Sequence, residues 1–147
     1  MATLNMVSDV MVTEVVTIGP DASLTEAAEL MRDANVGMLP IVEGGTLRGV
    51  VTDRDIVVRA VARGVEPITT PVKNLDSEDV VCARPEWDID EAMRLMAERQ
   101  IGRMPVVDAE RHVVGVVTLS SLILRARDSG KVLETAEEVA RRSARVV

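Results

Sequence analysis

Residues 49–56, Gly49-Val50-Val51-Thr52-Asp53-Arg54-Asp55-Ile56, decide how this chain folds, because their first half returns as Gly115-Val116-Val117-Thr118. In both places an apolar, β-branched run ends at a threonine, the pattern of a strand handing over to a helix through a hydroxyl cap. The two copies lie 66 residues apart. Upstream the match continues at a shift of 65, with Val15/Val80, Val16/Val81, Pro20/Pro85, Glu26/Glu91, Ala27/Ala92, Leu30/Leu95, Met31/Met96, Gly37/Gly102, Pro40/Pro105 and Val42/Val107 identical. The extra residue falls in the polar loop Asp108-Ala109-Glu110-Arg111-His112, where duplicated folds tolerate insertions.

Each copy reads in the same order. Val15-Val16-Thr17-Ile18, closed by Gly19-Pro20, predicts a short strand and a turn. Ser23 and Glu26 form the signature of a capping box that opens an amphipathic helix through Ala27, Leu30 and Met31. In the second copy Asp88 and Glu91 take those places, ahead of Ala92, Leu95 and Met96. Pro40-Ile41-Val42 and Leu47–Val51 flank Glu43-Gly44-Gly45-Thr46, which reads as a hairpin, and Pro105–Val107 with Val113–Val117 repeats it. The segment Asp53–Val61 then predicts a helix with Ile56, Val57, Ala60 and Val61 on one face, stopped by Gly64. Its counterpart is Leu119–Arg127.

The expected fold class is therefore α+β: two tandem β-α-β-β-α repeats, over residues 1–64 and 65–128, with a helical tail over 129–147. Two such small sheets are too slight to stand alone, which predicts that they pack together with pseudo-twofold symmetry. Pro67 and Pro71 mark the connector. In the tail, Val132, Leu133, Ala136, Val139 and Ala140 fall at helical spacing, with Glu137/Arg141 and Glu138/Arg142 as i,i+4 pairs.

Composition narrows the function. The chain has 147 residues, 47% hydrophobic and 28% charged, enough for one core or two small ones. Trp87 is its sole aromatic residue, so stacking platforms for single-stranded nucleic acid are missing. A net charge of −7 repels a phosphate backbone over the surface at large. Nucleic acid and membrane are not expected partners. Cys82, the one cysteine, cannot form an intramolecular disulfide and reads as a small buried thiol. Without a leader-like segment or a long apolar run, the expected location is cytoplasmic.

The duplicated order, above all Gly49–Ile56, Val36-Gly37-Met38-Leu39-Pro40-Ile41-Val42 and Ile101-Gly102-Arg103-Met104-Pro105-Val106-Val107, closely resembles the CBS-domain family. That resemblance covers nearly all of residues 7–127 and implies a stand-alone repeat pair, a Bateman module, acting as a homodimer. It also implies clefts for adenosine-containing ligands: AMP, ADP, ATP, S-adenosylmethionine or NAD. No cofactor is required. The effector protein would act in trans.

The family's ribose and phosphate pattern, Thr or Ser followed three residues later by Asp, maps onto Thr52 and Asp55. A carboxylate can accept both ribose hydroxyls, and a threonine hydroxyl can meet a phosphate. By the same mapping Arg103 occupies a basic phosphate-facing position, and Cys82, Ala83, Arg84 and Ile89 would border the adenine. The second cleft would use Thr17, Ile18, Gly19 and Leu24 with Met38, Thr118 and Ser121, where serine replaces the aspartate and cannot clamp a diol in the same way. Read without the resemblance, Thr52 is a helix N-cap and Asp55 an acid favoured in the first turn, together contributing about 1 kcal/mol. Both readings stand at this point. Arg103 equally fits a solvated strand-end cation, and Trp87 a partly exposed cap over the following helix.

No catalytic constellation accompanies these residues. His112, the only histidine, has no second His or Cys at ligand spacing, so no metal site is expected. Asp53 and Asp55 flank Arg54 and fit a helix start better than a magnesium site. The sequence also lacks a P-loop and a Gly-x-Gly-x-x-Gly run. The functions left are a non-enzymatic sensor of an adenosyl ligand, an interaction or stress protein of the same fold that binds no nucleotide and, as a weak third, a hydrolase or transferase, which would require turnover of the bound nucleotide.

Overall fold

A computed structural model describes residues 6–75, 80–125 and 129–144. The elements in chain order are α1 (Val7–Val10), α2 (Leu24–Ala34), β1 (Met38–Glu43), β2 (Thr46–Thr52) and α3 (Asp53–Asp55). A π-helical turn, Ile56–Ala60, and 3₁₀ turns at Val61–Arg63 and Val72–Leu75 follow. Then come α4 (Ile89–Arg99), β3 (Arg103–Val107), β4 (Val113–Thr118), α5 (Leu119–Arg125) and α6 (Ser129–Ala144). The chain is thus a mixed helix and strand protein with two hairpin sheets, β1-β2 and β3-β4. Among the described residues no helix is long and apolar enough to cross a membrane.

Two compact units emerge, and neither is continuous in sequence. One holds Val16–Val80 with Glu110–Val113; the other holds residues 6–15, Val81–Ala109 and the described residues from 114 onward. In the first, Ile18, Leu24, Ala27, Met31, Leu39, Ile41, Val51 and Ala60 form a core that Val72 and Leu75 complete. In the second, Ala83, Ile89, Ala92, Met96, Met104, Val106, Val117 and Leu122 do the same, completed by Val7 and Val10. The short helical turn at the head of each repeat therefore closes the core built by the body of the other repeat. A shift of 65 superimposes Val7 on Val72 and Val10 on Leu75. Burial of the Val, Leu, Ile and Met side chains, each contributing about 1.5–3 kcal/mol, stands in for the missing aromatics.

Local chemistry explains the elements. Ser23 Oγ accepts from the Glu26 N–H at 3.1 Å, and Asp88 caps α4 through the Asp90 N–H at 2.9 Å. Both helices end on a left-handed residue, Asn35 and Gln100. The antiparallel β1-β2 ladder runs from Met38 opposite Thr52 to Glu43 opposite Thr46, slipping one residue between Ile41 and Val42.

The expected strand at Val15–Ile18 is shorter than its sequence suggests. Only Ile18 pairs, as a parallel bridge to Ile41, donating to the Pro40 carbonyl at 3.0 Å and accepting from the Val42 N–H at 2.8 Å. The next rung toward Val16 would require a proline N–H from Pro40, which does not exist. Ala83 repeats this against Val106, with its N–H on the Pro105 carbonyl at 2.9 Å. One proline in each repeat thus reduces a strand to a bridge.

The helix after Thr52 also departs from expectation. Ala60 is buried and Ile56 half-buried, but Val57 and Val61 are 59% and 62% exposed. In the π turn the Val61 N–H reaches back five residues to the Ile56 carbonyl, so four-residue spacing no longer keeps side chains on one face. In the tail, α6 packs chiefly on α4. Gln100 Nε2 donates to Glu138 Oε1 at 3.2 Å, and Arg141 pairs with Glu138 at 3.1 Å rather than with Glu137. The side chains of Val132 and Arg142 lie outside the described residues.

Candidate functional site

Where β2 ends, Thr52 and Asp55 cap one another. The Asp55 N–H donates to Thr52 Oγ1 at 3.1 Å, and the Thr52 N–H donates to Asp55 Oδ2 at 3.0 Å. The cap reading of these two residues is therefore physically realised, and it uses one carboxylate oxygen. The other, Oδ1, lies 3.7 Å from Arg59 Nη1, with the Asp55 side chain 22% exposed. Arg59 Nη1 also donates to the Leu75 carbonyl at 2.7 Å. Met38, opposite Thr52 in the ladder, is buried. The Asp53 N–H is held by the Gly37 carbonyl at 3.0 Å.

The second repeat builds the same turn with different chemistry. The Ser121 N–H donates to Thr118 Oγ1 at 2.9 Å, and the Thr118 N–H donates to Ser121 Oγ at 3.0 Å. The Ser121 hydroxyl is further committed to the Thr118 carbonyl at 2.9 Å, and the residue is 4% exposed. The Leu119 N–H meets the Gly102 carbonyl at 2.9 Å, matching Asp53 and Gly37. Arg125 Nη1 reaches the Met11 carbonyl at 3.4 Å, as Arg59 reaches Leu75. This pair of arginines escaped the sequence reading, although both stand four residues beyond the capping partner and 66 apart.

The remaining candidates divide between the units. Thr17, Ile18, Gly19, Leu24, Met38, Thr52 and Asp55 belong to the unit containing β1-β2; Cys82, Ala83, Arg84, Ile89, Arg103, Thr118 and Ser121 belong to the other. Ile18, Ala83, Leu24 and Ile89 are core residues, and the N–H groups of Ile18 and Ala83 are spent on the strand bridges. Cys82 is half-buried rather than fully buried, with a free thiol. Arg84 pairs with Glu86 at 3.1 Å, while its buried Nε has no hydrogen-bond partner, leaving a donor that an anionic or carbonyl acceptor could satisfy. Arg103 opens β3 and is half-buried. Trp87 packs on the core that includes Val7, with its carbonyl accepting from the Val7 N–H at 2.8 Å. In the β3-β4 loop, ligand atoms of Asp108, Glu110 and His112 lie within 4.8 Å of one another, a solvent-facing polar cluster that His and Cys spacing alone does not reveal.

A repeated strand-to-helix turn on each of two duplicated α+β units defines a tandem repeat pair, and comparison with known proteins gives the family. The model of the CBS domain matches residues 7–61 and again 72–128. The chain belongs to the CBS-domain family. It is 42% identical over 119 residues to the CBS domain-containing protein YhcV of Bacillus subtilis, covering 81% of this chain and 84% of that one. Among solved structures it is similar to Hypoxic Response Protein I with two coordinated zinc ions (TM-score 0.76, 32% identity, 83% of this chain and 99% of that one). It is also similar to the CBS domain pair of protein MJ0100 in complex with 5'-methylthioadenosine and S-adenosylmethionine (TM-score 0.73, 29% identity, 81% and 93%).

Proposed function

We propose that the chain is a non-enzymatic sensor that binds an adenosine-containing ligand through Thr52 and Asp55 and controls an effector protein in trans. The observation that carries this reading is the state of Asp55: its Oδ2 orients the turn while Oδ1 keeps lone pairs for a ribose hydroxyl. The adenosyl compounds held by the MJ0100 pair support the ligand class. In the other unit, the unpaired Nε of Arg84 is a further donor suited to a phosphate or carbonyl group. Repeats over 1–64 and 65–128 and a cytoplasmic location fit this reading.

A thermal-shift titration with millimolar AMP, ADP, ATP, S-adenosylmethionine and NAD tests it, with Trp87 fluorescence alongside. A ligand at a hundred times its dissociation constant adds about 2.7 kcal/mol, which raises the midpoint by several degrees in a domain of this size. Asp55→Ala should abolish that shift and weaken binding at least about tenfold, or 1.4 kcal/mol. A folded protein stabilised by none of the five would instead support the nucleotide-free interaction protein, a reading favoured by the closed Thr118–Ser121 cap.

We also propose a homodimer. Each repeat's last helical segment exposes apolar side chains at equivalent positions, Val57 and Val58 in one and Ile123 and Leu124 in the other, with 59%, 45%, 60% and 82% exposure. Val57→Glu and Ile123→Glu should each shift light-scattering mass toward the monomer. A wild type that is monomeric at tens of micromolar would refute the dimer.

A further inference from the structure

Arg59 touches both the proposed ligand carboxylate and the turn that closes its unit's core. Its Nη1 donates to the Leu75 carbonyl at 2.7 Å and stands 3.7 Å from Asp55 Oδ1, so one nitrogen divides its attraction between a carbonyl and a carboxylate. Leu75 ends the 3₁₀ turn Val72–Leu75, whose Val72 and Leu75 side chains are buried in the core. The same turn is tied down by the Val72 N–H on the Ala22 carbonyl at 2.8 Å and the Lys73 N–H on the Pro20 carbonyl at 3.2 Å. A force on Leu75 therefore acts on a packed element whose amides report opening.

From this we infer that Arg59 is a positioning residue that couples occupancy of Asp55 to the Val72–Leu75 turn. The inference rests on the ligand reading above. A ribose hydroxyl that donates to Asp55 Oδ1 screens the carboxylate from the guanidinium and leaves Arg59 to the Leu75 carbonyl, whereas the empty carboxylate competes for it. Any ligand phosphate adds a further acceptor for the remaining guanidinium N–H groups. The second repeat supplies the internal control. Arg125 makes a longer bond of the same kind, at 3.4 Å to the carbonyl of Met11, one residue past the equivalent of Leu75, but Ser121, buried and uncharged, stands where the carboxylate would be. That copy keeps the structural bond and lacks the switchable partner. By thermodynamic reciprocity, a link that lets ligand alter the turn also lets the turn alter ligand affinity.

The test is amide hydrogen exchange of the full-length chain at Val72, Lys73 and Asn74, with and without saturating AMP, ATP or S-adenosylmethionine, on wild type, Arg59→Ala, Arg59→Lys and Arg125→Ala. Wild type should show a several-fold ligand-linked slowing of exchange in this turn. Arg59→Ala should lose that response while still binding nucleotide more tightly than Asp55→Ala does. Arg59→Lys, which keeps one charged donor, should restore part of it and guards against a folding defect in the alanine variant. Arg125→Ala should respond as wild type. Ligand-linked slowing that persists in Arg59→Ala, that is absent from a wild type whose binding depends on Asp55, or that vanishes equally in Arg125→Ala overturns the inference alone. A wild type that binds none of these three, nor ADP or NAD, overturns the ligand reading and the inference together.

Discussion

The turn at Thr52–Asp55 and the turn at Thr118–Ser121 have the same backbone plan and opposite chemical prospects. In each, a threonine hydroxyl and the residue three positions on exchange hydrogen bonds of 2.9–3.1 Å. In the first the partner is a carboxylate, 22% exposed, with an oxygen left over and an arginine beside it. In the second it is a serine whose hydroxyl is committed twice over and shut from solvent. Duplication preserved the cap because a strand-to-helix junction needs its N–H groups satisfied in either copy. It left the charge free to vary, because the cap requires only an acceptor. The difference separates what the fold demands from what a ligand would demand.

Three perturbations would break or sharpen this comparison. The largest effect belongs to the parts that should be equivalent: Leu24→Ala and Ile89→Ala each empty the first buried position of the helices α2 and α4. Each should cost about 2–5 kcal/mol in urea unfolding. A cost in only one repeat would mean that the two cores are not equivalent. Next come two glycines of the second repeat. A Cβ on Gly115 would lie 2.7 Å from Met11 Sδ and 3.0 Å from the Val12 carbonyl, so Gly115→Ala should destabilise by about 1–3 kcal/mol. At Gly102 the nearest atoms, on Leu119 and Val139, are 3.6 Å away, and Gly102→Ala should change stability by no more than about 0.5 kcal/mol. Equal effects would contradict the close approach of residues 11 and 12 to β4.

The smallest effect concerns a surface pair in the first unit. Asp21 bonds and attracts Lys73, 2.9 Å away, raising the lysine above its usual range. A raised pKa stabilises the fold below the unfolded-state value of the lysine, and the contribution disappears as pH rises through the folded-state value. Because both side chains lie at the surface, 53% and 83% exposed, Asp21→Asn should shift the melting midpoint barely at all at neutral pH, and added salt should erase what shift remains. A large, salt-resistant shift would show that the Val72–Leu75 turn is held from outside as well as by Arg59.

Much of this was legible because duplication prints every element twice. The helices after Ser23 and Asp88, the glycine hairpin and the Thr-capped helix starts each satisfy a local rule, and the second copy confirms the first. The strand expected at Val15–Ile18 shrinks to a bridge because β-branched residues report propensity, whereas the ladder depends on a donor from the opposing strand, and Pro40 has none. Val57 and Val61 share one face with Ile56 and Ala60 only under 3.6-residue periodicity, which the π turn breaks. Arg59 and Arg125 were unmarked because their partners, the carbonyls of Leu75 and Met11, have no side-chain signature.

The sequence by itself determined the class of the protein, since the in-phase recurrence of Gly-Val-Val-Thr, Gly-x-x-Pro and the capped helices is a one-dimensional property. It also determined that Asp55 has no acidic counterpart at Ser121. Only the tertiary structure decided which core each leading turn enters: Val7–Val10 completes the second repeat's core and Val72–Leu75 the first repeat's. The physical reason is that an apolar turn of four residues specifies that it must be buried, while the partner that buries it is chosen by packing between segments far apart in the chain.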